Sequence, residues 1–166
     1  MAKVSYASKN NRNMAEKAME SKYMTANWFK TGICVYCGDI ADTKDHIPSI
    51  SWAYALGYDN MVKEGAEFIK VSCCKTCNSV IGDRNLPTLS ARKAFISEYW
   101  KKKGEKYKIP TWTIDELNEL GKTLKSSVKD RSDSYEFIKR RIVWSSSEKS
   151  VAYDDEFVRK MYGNDN

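Results

Sequence analysis

The sequence predicts an α+β fold: a small zinc-stapled core of two strands and a helix, with flanking α-helices at both ends. Three observations lead there. Two Cys-x-x-Cys pairs, Cys34-Val35-Tyr36-Cys37 and Cys74-Lys75-Thr76-Cys77, each wrap one tight turn and together supply four thiolates to a tetrahedral Zn²⁺. The 36 residues between Cys37 and Cys74 exceed the spacing of a simple ribbon, so whole elements must sit between the two knuckles. Outside that centre, apolar residues recur at helical spacing. The expected organisation is an N-terminal helical arm over 1–31, a zinc-bound core over 32–84 and a C-terminal helical extension over 85–166.

Within the arm, Met14, Ala18, Tyr23 or Met24, and Trp28 predict a helix from about Asn13 to Lys30, ended by Gly32 through its freedom to take a positive φ. Ile33 to Gly38 form the first knuckle. Residues 39–47 supply one strand, closed by Pro48, which cannot donate to a ladder. Ser49 to Gly65, rich in Trp and Tyr, reads as a helical turn and a loop over the core, and Glu67 to Ser72 as the second strand. Asn78 is expected to open the next helix, which Gly82 and Asp83 stop or bend. A further helix begins near Leu86-Pro87-Thr88, with Ala91, Phe95, Ile96, Tyr99 and Trp100 as its apolar stripe. Residues 104–112 read as a linker, and Thr113-Ile114-Asp115-Glu116 as a capping box. Leu117, Leu120, Leu124 and Val128 then mark one amphipathic helix, and Tyr135, Ile138 and Ile142 another. Stripes of this kind make core contacts or join two copies, so a homodimer through the C-terminal helices is one expected assembly. The end is a serine-rich stretch over 145–150 and a short helix after Asp154-Asp155-Glu156.

Composition sets the class. The chain has 166 residues, 42% of them apolar and 12% aromatic, enough for one modest core and too many for wholesale disorder. A net charge of +6 with a pI near 9.0 favours a polyanionic partner. The charge is localised: between Arg84 and Lys108 stand eight cations (Arg84, Arg92, Lys93, Lys101, Lys102, Lys103, Lys106, Lys108) against two glutamates. Such a stripe can track phosphates and release counterions, so Arg84, Arg92, Lys93, Lys101, Lys102 and Lys103 are the candidate nucleic-acid contacts; a solvated helix end reads equally well. No apolar run approaches the roughly 20 residues of a membrane span. The first ten residues lack the apolar centre of a signal peptide. The expected compartment is the cytoplasm of a bacterial or phage-infected cell, where five cysteines signify metal rather than disulfides. The fifth, Cys73, reads as a small buried apolar residue.

Between the knuckles lies Asp45-His46-Ile47-Pro48, and Asn78 follows the last cysteine directly. Asp45 and Asn78 offer oxygen ligands suited to a hard cation such as Mg²⁺ or Mn²⁺, and His46 offers a base near neutral pH. The zinc would be scaffold and the hard ion chemistry.

Cys34, Cys37, the Asp45-His46-Ile47-Pro48 run, Cys74, Cys77 and Asn78, with Gly82 following, resemble the HNH or ββα-metal endonucleases whose zinc is held by two knuckles. The resemblance spans Gly32 to Arg84, and phage junction resolvases of the endonuclease VII type share its Asp-His and Cys-x-x-Cys-Asn pieces. It implies metal-dependent hydrolysis of phosphodiester bonds in DNA, with His46 as general base, Asp45 and Asn78 on Mg²⁺ or Mn²⁺, a structural Zn²⁺, and products with 5′-phosphate and 3′-hydroxyl ends. Two positions depart from the family. The asparagine that many members carry shortly before the second knuckle is missing from Phe68 to Ser72, Asn60 being the nearest. Ile81 stands where many have lysine, with Arg84 as the candidate replacement. The rival readings are a non-catalytic zinc module that binds nucleic acid, and a protein-interaction adaptor stabilised by zinc.

Overall fold

The computed structural model describes residues 9–25 and 32–146. The expected short final helix lies outside them, as does most of the serine-rich stretch. The described chain contains helix α1 (Lys9–Met19) with a 3₁₀ turn at Glu20–Lys22, then β1 (Met24–Thr25), β2 (Thr43–Ile47), α2 (Ile50–Leu56) and α3 (Tyr58–Lys63). These are followed by β3 (Ile69–Cys73), α4 (Lys75–Ile81), α5 (Leu89–Tyr107), α6 (Ile114–Glu119) and α7 (Lys122–Ser146). No helix among the described residues is long and apolar enough to cross a membrane.

The centre is a three-stranded sheet in the order β1-β3-β2. β2 and β3 are antiparallel, with Asp45 opposite Val71, His46 opposite Lys70 and Ile47 opposite Ile69. β1 adds a short parallel edge, Met24 opposite Ile69. The sequence dictates this pairing through alternation: on β2, Asp45 and Ile47 are buried while Lys44 is exposed and His46 half-buried, so the strand has one core face and one outer face. Ile33 and Ile40 bridge across the first knuckle, and the Val35 amide donates to Ser72 O at 3.1 Å, fastening that knuckle to β3.

Two apolar clusters form. The larger gathers all five cysteines, Tyr36, Ile47, Ile69, Val71 and Ile81 from the centre with Leu89, Ile96, Trp100 and Ile138 from the C-terminal helices. The smaller joins Met19, Tyr23, Ala53, Met61 and Phe68 under the N-terminal arm.

Several expectations are corrected. The first helix ends at Met19, its inward residues Ala15 and Met19 stand one position from the expected Met14 and Ala18, Tyr23 is buried beyond it, and Trp28 and Lys30 lie outside the described residues. The reason is β1: the chain leaves the helix to pair with β3, and the Met24 amide donates to Phe68 O at 2.9 Å. α4 opens at Cys74, whose sulfur accepts from the Cys77 amide, so Asn78 stands inside the helix and does not cap it. Gly104 lies within α5, where a side chain would meet Ile142, and α5 therefore runs through the expected linker to Tyr107. The capping box at Thr113 and Glu116 is present, but its helix stops at Glu119 and α7 runs unbroken from Lys122, uniting stripes expected on separate helices. α7 packs on α5 through Ile138 and Ile142, whereas Leu124 on the same helix is exposed.

Candidate metal centre and active site

The four knuckle cysteines converge. Cys34, Cys37, Cys74 and Cys77 are buried, and their sulfurs lie within 4.8 Å of one another. A tetrahedral Zn²⁺ with bonds of about 2.3 Å sets its sulfurs about 3.8 Å apart. The Cys37 and Cys74 sulfurs are separated by 3.7 Å. Hydrogen bonding among the sulfurs, with Cys37 foremost, pulls the Cys34 thiol far down, while contact with Cys34 pushes Cys37 and Cys77 far up. Four thiolates this close repel, and a divalent cation is the charge that lets all four ionise. The chemistry and spacing of the donors fit a zinc ion. Cys73 stands outside the quartet, buried, its S–H donating to Cys74 O at 3.3 Å.

Beside the cluster, β2, α4 and the N-terminal arm enclose a cleft of about 860 Å³ whose wall includes Asp45, His46 and Asn78. All three expected site residues therefore border one space, but they are not equally available to it. His46 lies on the outer face of β2. Its Nε2 is 3.0 Å from Glu20 Oε2, and the edge of its ring meets Tyr23 with centroids 4.9 Å apart. Burial lowers the imidazole pKa against the opposing pull of Glu20, so the neutral ring predominates near neutral pH. Lys70, the residue opposite His46 on β3, donates to Glu20 Oε1 at 2.7 Å and holds that carboxyl below its usual range.

Asp45 belongs to the core face. It is 4% exposed, and its two oxygens accept from Tyr36 Oη and Arg92 Nη1, both at 2.5 Å. Arg92 also donates from Nε to Leu86 O at 2.9 Å. Burial and the adjacent Asp45 charge push the Tyr36 hydroxyl well above its ordinary value. Asn78 uses its amide nitrogen on Thr43 Oγ1 at 3.3 Å and Lys44 O at 3.2 Å, tying α4 to β2. Asp45 does not fit its expected place on Mg²⁺ or Mn²⁺: an aspartate neutralised by a buried arginine, with both oxygens engaged, is not an open ligand for a hard cation.

Two members of the cationic stripe are corrected as well. Arg92 is fully buried and Lys93 is 6% exposed, because both face inward on α5. Among the described residues Lys93 Nζ has no hydrogen-bond partner, and burial lowers its pKa to about 8. Arg84 folds back to donate to Val80 O and Ile81 O and stacks over Phe95, so it closes the end of α4. Lys101 and Lys102 are exposed, and Lys103 lies over the rings of Tyr99, Trp100 and Tyr107. None of the six lines the cleft; its cations are Lys17, Lys44 and Lys75. Asn60 makes only a local bond to Leu56 O on the exposed side of α3.

Sequence reasoning missed Glu20, Lys70 and Tyr36. Tyr36 carried a signal, being the one large residue between two cysteines that must both turn inward. Lys70 was legible only once the register with His46 was known, and nothing local marks Glu20.

Comparison with models of known families, with curated proteins and with solved structures finds no match to this chain.

Proposed function

We propose that the chain is an HNH-type endonuclease that hydrolyses phosphodiester bonds in DNA, with a structural zinc in the four-cysteine cluster. The observation that carries the reading is the surroundings of His46: a ring kept neutral by burial, in the wall of a cleft that also presents Asn78 and the cations Lys17, Lys44 and Lys75. The lysines offer charge to a phosphodiester backbone beside the carboxylates of Glu16, Glu20, Asp45 and Asp83 in the same wall. His46 takes the proton of the attacking water, a step of general-base catalysis typically worth about 10²- to 10⁴-fold in rate. Asp45 holds the strand from the opposite side through Arg92 and Tyr36. Dependence of nicking on Mg²⁺ or Mn²⁺ is read directly in the test.

A second reading, a non-catalytic zinc module that binds nucleic acid, is favoured by one observation: the Asp45 carboxylate is already closed by its own partners. Plasmid DNA incubated with the zinc-bound protein, with and without Mg²⁺ or Mn²⁺, beside a His46→Ala variant, separates the two. Nicking that is lost in the variant supports the endonuclease. A mobility shift without nicking overturns it in favour of the binding module.

A further inference from the structure

The one histidine of the chain has a carboxylate partner that no motif contains. Glu20 stands in the 3₁₀ turn after α1, and the chain around it is anchored at three points. Met19 is buried in the smaller cluster, Tyr23 is buried with its hydroxyl donating to Pro48 O at 2.8 Å, and the Met24 amide is bonded to Phe68 O. This latch presents Glu20 to His46 from a different part of the chain, 26 positions away. Lys70, fixed by its place opposite His46, grips the second oxygen of the same carboxylate.

We infer that Glu20 is a positioning residue for His46: it accepts a hydrogen bond from Nε2–H, fixes the ring in that tautomer and leaves Nδ1 as the basic nitrogen. The inference rests on the endonuclease reading for its catalytic consequence, and on the Lys70-Glu20-His46 chain for its geometry. A neutral imidazole has one N–H, and the nitrogen without it is the only one that can take a proton. An ionised carboxylate 3.0 Å from Nε2 can only accept, which assigns the N–H to Nε2. Lys70 lowers the pKa of Glu20 and so keeps the acceptor ionised. The N-terminal arm thus completes the site, and the core alone would hold a histidine free to exchange tautomers.

The test uses the full-length zinc-bound protein. Because the chain has a single histidine, ¹⁵N spectra of the imidazole report His46 without assignment. The wild type is expected to show the Nε2–H tautomer at a pH where the ring is neutral, and Glu20→Ala a mixture of the two. Glu20→Gln, which keeps an acceptor oxygen, is expected to retain the tautomer and guards against a fold defect in the alanine variant. In the plasmid assay Glu20→Ala should lower kcat by about 10-fold or more with little change in KM, since loss of the carboxylate that fixes a working imidazole's tautomer can cost up to about 10⁴-fold. An unchanged tautomer in Glu20→Ala overturns the inference. So does unchanged nicking in that variant while His46→Ala is inactive. If the wild type does not nick DNA, the endonuclease reading fails, and the spectra alone still decide whether Glu20 fixes the ring.

Discussion

Asp45 and Arg92 are buried charges whose value lies in each other. Arg92 is fully buried, and its Nη1 meets an Asp45 oxygen at 2.5 Å while Tyr36 occupies the other oxygen. Removing one member of such a pair strands the other without water or counter-charge, which typically costs about 3–5 kcal/mol. Arg92→Ala is therefore expected to lower the unfolding free energy by about that amount in a urea titration, and a loss below 1 kcal/mol would mean that Asp45 is hydrated after all. Lys93, one residue on, is buried with no hydrogen-bond partner among the described residues. Its pKa falls from an ordinary 10.5 to about 8 because burial disfavours the ammonium. Between those two values the unfolded chain binds more protons than the folded one, so this residue's contribution makes stability rise with pH. Below about pH 8 both states are charged and the penalty is constant. Lys93→Met should raise the melting temperature at pH 7, with the gain over wild type shrinking as pH climbs toward 10. These roles were beyond the sequence for a specific reason. Lysine and arginine between Ser90 and Lys103 look like a solvated stripe until the rotation of α5 is known, and Asp45 looks like a ligand because of His46, yet neighbours on a strand face opposite ways.

Elements were legible where a local rule decided them. The two knuckles follow from cysteine spacing, and β2 ends at Pro48 as expected. α5 is capped by Thr88, whose oxygen accepts from the Ala91 amide, and Thr113 and Glu116 cap each other's amides. They were illegible where a distant surface decided. β1 takes its pairing from β3, which shortens the arm's helix, and Gly104 reads as a linker residue until Ile142 lies against it. The packing of α7 over the first knuckle is of this second kind. Trp144 Nε1 donates to Val35 O at 3.3 Å, Arg141 pairs with Asp39, and the Arg141 guanidinium stacks on Trp100 and Phe137 at 4.5 and 4.1 Å from their ring centroids. Gly38 makes the approach feasible. Its φ is +73°, and a Cβ there would come within 2.5 Å of Trp144 Cδ2. Gly38→Ala should destabilise by roughly 1–3 kcal/mol from backbone strain alone, with a further loss as the indole is displaced. Denaturation monitored through tryptophan fluorescence checks both, and a variant as stable as wild type would show that α7 does not rest on the knuckle.

For the molecule as a whole, the four-cysteine cluster ties the first knuckle to the second at the centre of the larger core. The larger core contains every cysteine of the chain, so the sulfurs form both the metal centre and much of the apolar packing between the sheet and α5 and α7. Without a cation, four buried sulfurs within 4.8 Å either protonate, losing their mutual attraction to a shared charge, or repel as thiolates. In either state the packing of Ile96, Trp100 and Ile138 against the cluster is weakened, and the first knuckle is left to its hairpin bonds, the Val35 amide to Ser72 O, Tyr36 on Asp45, and the contacts of Trp144 and Arg141. The smaller cluster under the N-terminal arm contains no cysteine, but Phe68 and Tyr23 depend on β3 for their position, and β3 ends in the second knuckle. Loss of metal should therefore spread from the cluster to the sheet and then to the cleft, abolishing the His46–Glu20 contact along with the fold. Structural zinc typically contributes on the order of 10 kcal/mol in small modules, comparable to the whole stability of a domain of this kind. Chelation at neutral pH, or Cys77→Ser, should collapse the cooperative melt in far-UV circular dichroism and return it, for the wild type, on adding one equivalent of Zn²⁺. A melt unchanged after metal analysis has verified removal would show that apolar packing holds these segments unaided, and the sulfur cluster would then have to be read as a core made of small thiols.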